Sequence, residues 1–260
     1  MLQPRLSSPM NKLLFYIVMI WLLPIPVAQA GVVIGGTRFI YHAQMPTLSV
    51  PVSNTSSESW LIDSHIQSAR RWTGAAIAAG NRPPFIITPP LFRLAAEQEN
   101  TLRVTWTGDA LPPDRESLFT LSIAAIPSGK PGDHHVQMAF RSALKLIYRP
   151  AGLAGNPQQA YRGLRWTLTP EGLSVQNPGP YYVTLFSLKA NGRPIDTAGV
   201  VAPFSTRKTD WCQRATRCEV RWQSINDYGR VLPPIAANVL LACYGGNHLI
   251  LPGISRNKWE

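Results

Sequence analysis

Residues Asp114–Pro150 read DRESLFTLSIAAIPSGKPGDHHVQMAFRSALKLIYRP, two apolar runs on either side of the polar turn PSGKPGDHH. In the second run Val136, Met138, Phe140 and Leu144 recur in one alternating phase. A spacing of two places such residues on one face of an extended strand. Gly and Pro in the turn punctuate the pattern, so the stretch predicts two strands joined by a short connection. Helical spacing is absent from it, and a β fold is the expectation.

Working outward, the same texture continues. Short strand candidates precede this stretch: VVIGGTRFIY, TLSVPVSN, SWLIDSHIQS, FIITPPLFRL and NTLRVTWTG. With the two runs already named they make seven strands in about 120 residues, the density of an immunoglobulin-like sandwich. Pro89-Pro90 after Thr88 marks either a cis peptide at a strand corner or an ordinary edge turn. After Pro150 the loop-like AGLAGNPQQAYRG opens a second series: LRWTLTPEGLSVQN, PYYVTLFSLKANGRPI, GVVAPFSTR, CEVRWQSIND and NVLLACY. The expected division is a first domain over 31–149, a second over 150–244, and a tail or extra strand over 245–260.

The first thirty residues have the form of a secretory signal. Arg5 and Lys12 precede an apolar run from Leu13 to Leu23, and Ala28 and Ala30 stand at the −3 and −1 positions before Gly31. The run is too short for a comfortable membrane span, and no later segment is long enough, so no integral membrane segment is expected. Cleavage would leave about 230 residues, enough for two ordinary domains. The formal charge of +11 falls to +9 when Arg5 and Lys12 are removed. Such basicity suits nucleic acid, anionic lipid or an acidic partner, and export disfavours nucleic acid.

Cysteines stand at 212, 218 and 243. In an oxidising compartment the short spacing QRATR favours a Cys212–Cys218 disulfide, the alternative being Cys243 joined to one of the two. No CxxC redox pair, GxSxG elbow, HExxH, P-loop or GxGxxG occurs, so neither an enzyme nor a cofactor is implied. Asp133, His134 and His135 fall together in the turn. Adjacent histidines on a strand face opposite ways and no second ligand pair has suitable spacing, so a metal site is not expected.

The combination of RESLF, the IP that follows it and KLIYRP closely resembles the signature of the periplasmic pilus chaperones, which fold and escort fimbrial subunits. GGTRFIY, TPPLFRL, NPGPYYVTLFSL and INDYGR match further stretches of that family, so the resemblance spans nearly all of the chain after residue 30. AAEQEN departs from the family's usual acidic-Pro-Gly turn. The resemblance implies two immunoglobulin-like sandwiches in an L shape around a cleft. It implies that Arg38 and Lys145 anchor the terminal carboxylate of a bound subunit, as a buried carboxylate needs cationic, hydrogen-bonding partners. It also implies that Val136, Met138 and Phe140 are lent to the subunit as a donor strand, and that Glu116, Arg149 and Asp227 form an interdomain ionic network.

The turn from Pro127 to His135 resembles the family's short-loop class, which serves rod-like fimbriae. The implied partners are fimbrial subunits and an outer-membrane usher, and the implied location is the periplasm; the sequence leaves open whether the free chain caps itself as a homodimer. The competing reading is a fimbrial subunit or adhesin built from immunoglobulin-like domains. A subunit needs an incomplete domain and usually an N-terminal donor extension, whereas here the first strand follows the cleavage site closely. One point resists the resemblance: Lys145 is out of phase with Val136, Met138 and Phe140. A regular strand would turn it to the other face, and a bulge, a twist or a long reach would be needed to bring them together.

Overall fold

The computed structural model describes residues 31–76, 82–108, 110–129 and 137–241. Strands dominate, and the expected β fold is what forms. Nine of them build the first unit: β1 (Val32–Ile34), β2 (Arg38–His42), β3 (Leu48–Asn54), β4 (Trp60–Ser68), β5 (Phe85–Thr88), β6 (Leu91–Leu94), β7 (Glu99–Trp106), β8 (Ser117–Pro127) and β9 (Phe140–Arg149). They lie in two sheets ordered β1-β3-β7-β5 and β2-β9-β8-β4-β6. The inner faces meet in one core that includes Tyr41, Val50, Ile62, Leu102, Phe119, Leu121, Leu146 and Tyr148.

Two stretches that read as single strands each divide. VVIGGTRFIY becomes β1 and β2, and FIITPPLFRL becomes β5 and β6, with the halves in different sheets. Alternation reports which way a side chain faces, not which sheet a strand joins. The switches occur at Gly35-Gly36 and at Thr88-Pro89-Pro90, where the Thr88–Pro89 peptide is cis. At Gly35 a side chain would run into the ring of Pro51, so the crossing requires glycine.

The second unit contains β10 (Arg165–Thr169), β11 (Gly172–Asn177), β12 (Val183–Thr184), β13 (Phe186–Ala190), β14 (Arg193–Pro194), β15 (Val200–Val201), β16 (Ser205–Lys208), β17 (Arg217–Gln223) and β18 (Ile235–Leu240). These pair as β10-β11-β16, β12-β15 and β14-β13-β17-β18 around a separate core centred on Leu168, Leu173, Val175, Val220 and Trp222. A disulfide joins Cys212 to Cys218 across the connection from β16 to β17. Cys243, the tail 245–260 and the amino-terminal 1–30 lie outside the described residues. Among the described residues no helix is long and apolar enough to cross a membrane.

A third, smaller apolar cluster bridges the units. Ala69, Leu118 and Ile147 of the first meet Val200 of the second, with Ile40, Trp72, Ala75 and Tyr182 packed against them. This contact covers the outer face of the β2-β9-β8 sheet at one end. It buries the outer face of β8 at its Leu118 end, and farther along Arg141 lies over Ser122, so the strand is buried on both faces over Ser117–Ala125.

Candidate functional site: the cleft end of strand β9

Strand β9 is the element on which the site is built. It pairs with β8 in an unbroken antiparallel register from Ser117↔Tyr148 to Ala125↔Phe140, and no bulge interrupts it. On its other side β2 runs parallel and covers only Lys145–Arg149. Among the described residues no strand accompanies Phe140–Leu144 on that side. An unpaired edge of this kind offers a row of backbone donors and acceptors to a further strand.

The apolar ladder is placed as follows. Phe140 is the first residue of β9, on the same face as Leu144, Leu146 and Tyr148, and it is 56% exposed. Its ring leans on Trp60, with centroids 6.3 Å apart. Met138 precedes the strand and is 62% exposed. Val136 and the turn residues Asp133, His134 and His135 lie outside the described residues. The regular register settles the phase question raised by the sequence. Lys145 does face away from the ladder, on the outer side with Ile147 and Arg149, towards the second unit.

Arg38 and Lys145 are direct partners across the β2–β9 pair, so their side chains leave the sheet together. Arg38 donates from Nη1 to the carbonyls of Ile225 and, at 3.0 Å, Asn226, and from Nη2 to Thr184 Oγ1 at 2.9 Å. Burial holds its guanidinium below the ordinary arginine range, against the pull of Asp227 and Glu116. Lys145 sets its ammonium over the ring of Trp72, 4.0 Å from the centroid. Burial, and then the neighbouring Arg38 charge, push it down to about 8. No ion pair to a carboxylate forms at either cation among the described residues. Two half-buried cations side by side without an acid make a site suited to an anion.

The second charged cluster is closed. Arg149 donates from Nε to Glu116 Oε1 at 2.7 Å, and from Nη1 and Nη2 to the two oxygens of Asp227 at 2.7 and 3.0 Å. Glu116 is 3% exposed, and its other oxygen accepts the Tyr182 backbone N–H at 2.7 Å. The guanidinium also lies over the Tyr181 ring. Burial works to lower Arg149, but the bonds and charges of Asp227 and Glu116 together outweigh it and hold the guanidinium well above the ordinary arginine range. Burial pushes Glu116 up to about 6, and Arg149 is the principal pull in the other direction. Glu116 and Arg149 come from one unit and Asp227 and Tyr182 from the other, so the cluster spans the contact between them.

One turn serves both clusters. Ile225–Val231 closes as a bridge, and the Asn226 side chain accepts the backbone N–H groups of Tyr228 and Arg230. Gly229 takes φ of +81°, the left-handed region where glycine is at ease. The turn thus offers the Asp227 carboxylate to Arg149 and the Ile225 and Asn226 carbonyls to Arg38. Trp72, Trp60 and Thr184 are among the participants not singled out by sequence reasoning. Trp72 sits in RRWTG, outside any strand pattern, and only its aromatic character in a polar stretch could have drawn notice.

The comparisons agree with one another. Residues 31–154 match the family model described as pili and flagellar-assembly chaperone, PapD N-terminal domain, and residues 159–235 match pili assembly chaperone PapD, C-terminal domain. The uncharacterized fimbrial chaperone YcbF of Escherichia coli K12 is 48% identical over 202 residues, which cover 77% of this chain and 85% of that protein. The chaperone protein FimC of Escherichia coli O6:H1 is 38% identical over 211 residues, covering 79% and 83%. Among solved structures, the periplasmic chaperone SfaE superposes with a TM-score of 0.65 at 33% identity, covering 81% of this chain and all of that one. The Salmonella enterica SafA pilin in complex with the SafB chaperone gives 0.68 at 32% identity, covering 80% and 95%.

Proposed function

This chain belongs to the pili assembly chaperone family and is a fimbrial chaperone, and on that premise we propose that it captures fimbrial subunits by lending them strand β9. The competing reading as a fimbrial subunit or adhesin gives way to this one. In the proposed complex the open edge at Phe140–Leu144 pairs with an incomplete subunit, and Val136, Met138 and Phe140 fill its pockets. Arg38 and Lys145 hold the subunit's terminal carboxylate and fix the register of the bound strand. Glu116, Arg149 and Asp227 hold the two domains, divided near residue 149, at the angle that keeps this cleft open.

The observation that supports the reading best is a coincidence on one strand. Among the described residues, an unpaired backbone edge, two large exposed apolar side chains and Lys145, a cation without an acid whose partner across the sheet is Arg38, lie within Met138–Lys145. In an ordinary core strand Met138 and Phe140 would be buried. We further infer that the chain is exported to the periplasm with cleavage near Gly31, hands its cargo to an outer-membrane usher, caps its own free edge as a homodimer when empty, and carries out no catalysis.

The test pairs two measurements on each variant. Met138→Glu and Phe140→Glu are expected to abolish co-purification of subunit while the free protein melts as the parent does, because a charge finds no counterion in a dry pocket. Gln137→Glu, outside the alternating phase, is expected to be tolerated. Loss of stability in the free, monomeric Phe140→Glu protein would mean that the ladder is core, and the donor reading would fall.

A further inference from the structure

Beside the two cations lies a residue that neither alternation nor spacing marks. Trp72 follows a short 3-10 turn at Ala69–Arg71, and its backbone N–H closes that turn onto Ala69. The next residues are clasped to the second domain. Val200 donates its N–H to the Thr73 carbonyl at 2.8 Å. Gly74 and Gly199 take φ of +83° and +73°, and a side chain on either would collide with the backbone of the other segment, at the Val200 and Thr73 carbonyls respectively. The indole is therefore held in place from both domains.

What Trp72 presents from that position is specific. Its ring lies under the Lys145 ammonium at 4.0 Å. Its Nε1–H is buried and, among the described residues, has no hydrogen-bond partner. A buried indole N–H ordinarily finds an acceptor, and an orphan one costs stability. The face of an indole is the best aromatic seat for an ammonium, and it holds the cation without neutralising it. A carboxylate in the same position would quench Lys145 and leave nothing for an anionic ligand. Among the described residues the charged neighbour acting on Lys145 is Arg38, which repels it.

We propose that Trp72 is a specificity-determining positioning residue of the Arg38/Lys145 site: it seats Lys145 as a free cation, available to the terminal carboxylate of a bound chain. The proposal rests on the carboxylate-anchoring reading given above. Through Thr73 and Gly74 it also makes the contact between the domains part of the ligand site, since Val200 fixes the segment that carries the indole.

The experiment uses the whole processed protein with Trp72→Phe and Trp72→Leu. In the ligand-free state the Lys145 side-chain resonances are followed by NMR as pH is raised. The parent is expected to show an upfield ring-current shift of the Lys145 methylene protons. In Trp72→Leu that shift disappears and the ammonium titrates at lower pH, because burial is kept while the attractive face is lost. Trp72→Phe, with a weaker face and no N–H, lies between. Binding is read with a short synthetic peptide of alternating valine and threonine ending in tyrosine, as the free acid and as the amide. Trp72→Leu is expected to lower the preference for the free acid by about 3–30-fold.

Unchanged Lys145 titration and unchanged acid preference in Trp72→Leu would overturn the proposal. Should that variant fail to fold, parental values in Trp72→Phe would overturn it equally. If the parent shows no preference for the free acid, the anchoring reading fails instead. The ligand-free titration then still decides whether Trp72 seats Lys145.

Discussion

Lys145 and Arg149 lie on the same face of β9, one turn of the pleat on either side of Ile147, and their partners on β2 differ as sharply as their surroundings do. Arg149 has two carboxylates around one guanidinium, Glu116 on Nε and Asp227 across Nη1 and Nη2. Lys145 has an aromatic face and a second cation. Both sites are half-buried and both touch the other domain. The first is a finished set whose contribution is geometric, since removing a member leaves buried charge uncompensated. The second has no acid among the described residues, and the chain bears the cost of two desolvated cations there. The apolar pair Ile40 and Ile147 separates them, so the excess acid of the closed set acts on Arg38 only at a distance.

The largest effect is expected at the closed set. Arg149→Leu would leave Glu116 buried with one backbone donor and Asp227 facing it as a like charge, a loss of about 3–5 kcal/mol. Urea unfolding should show this loss, with the two domains melting as separate transitions. A loss below about 1 kcal/mol would place Arg149 among ordinary surface pairs and erase the contrast.

Next come the open-set cations. Lys145→Ala should cost about 2–5 kcal/mol in capture of a fimbrial subunit, as a desolvated partner of its carboxylate is removed, while the free protein keeps its melting temperature or gains slightly. Arg38→Ala should lose capture too, yet it should also cost about 1–2 kcal/mol of stability, because the Ile225 and Asn226 carbonyls and Thr184 lose a donor. Equal stability for the two variants would show that the carbonyl contacts of Arg38 contribute nothing. A Lys145→Ala protein as unstable as Arg149→Leu would mean that the second set is as closed as the first.

Much of this was legible in the chain. Alternation along SLFTLSIAAIP and FRSALKLIYR predicts a strand pair, and β8 and β9 form it. The parity of Lys145 against Phe140 was legible as well, and the regular β8–β9 register shows that it needed no bulge to explain away. The division of VVIGGTRFIY and FIITPPLFRL between sheets was not, because pattern is blind to which neighbour a strand finds, although Gly35-Gly36 and Pro89-Pro90 marked the switches. The bonds from Arg38 to backbone carbonyls were beyond reach, since any residue supplies a carbonyl. Trp72 was invisible for the same kind of reason: its role depends on a clasp between segments more than a hundred residues apart.

The smallest effect is the one that titrates. Burial lowers Lys145 from the ordinary 10.5 to about 8 in the folded protein. Between those values the unfolded chain binds more protons than the folded one, so stability rises with pH across that window and this group's cost is greatest below 8. Lys145→Met removes the cost. The variant should be more stable than the parent at pH 7 by about 1–3 kcal/mol, each pH unit of displacement being worth about 1.4 kcal/mol. The advantage should shrink steadily and vanish above pH 10.5. Capture must run the other way, because only the ammonium attracts a carboxylate: the parent should hold a subunit less tightly as pH rises through 8. Thermal melts of parent and Lys145→Met from pH 6 to 11 decide the first half. A gap that stays constant with pH would mean that Lys145 keeps its ordinary proton affinity in the fold, and that the cleft is open to water where the contrast with Arg149 requires it to be dry.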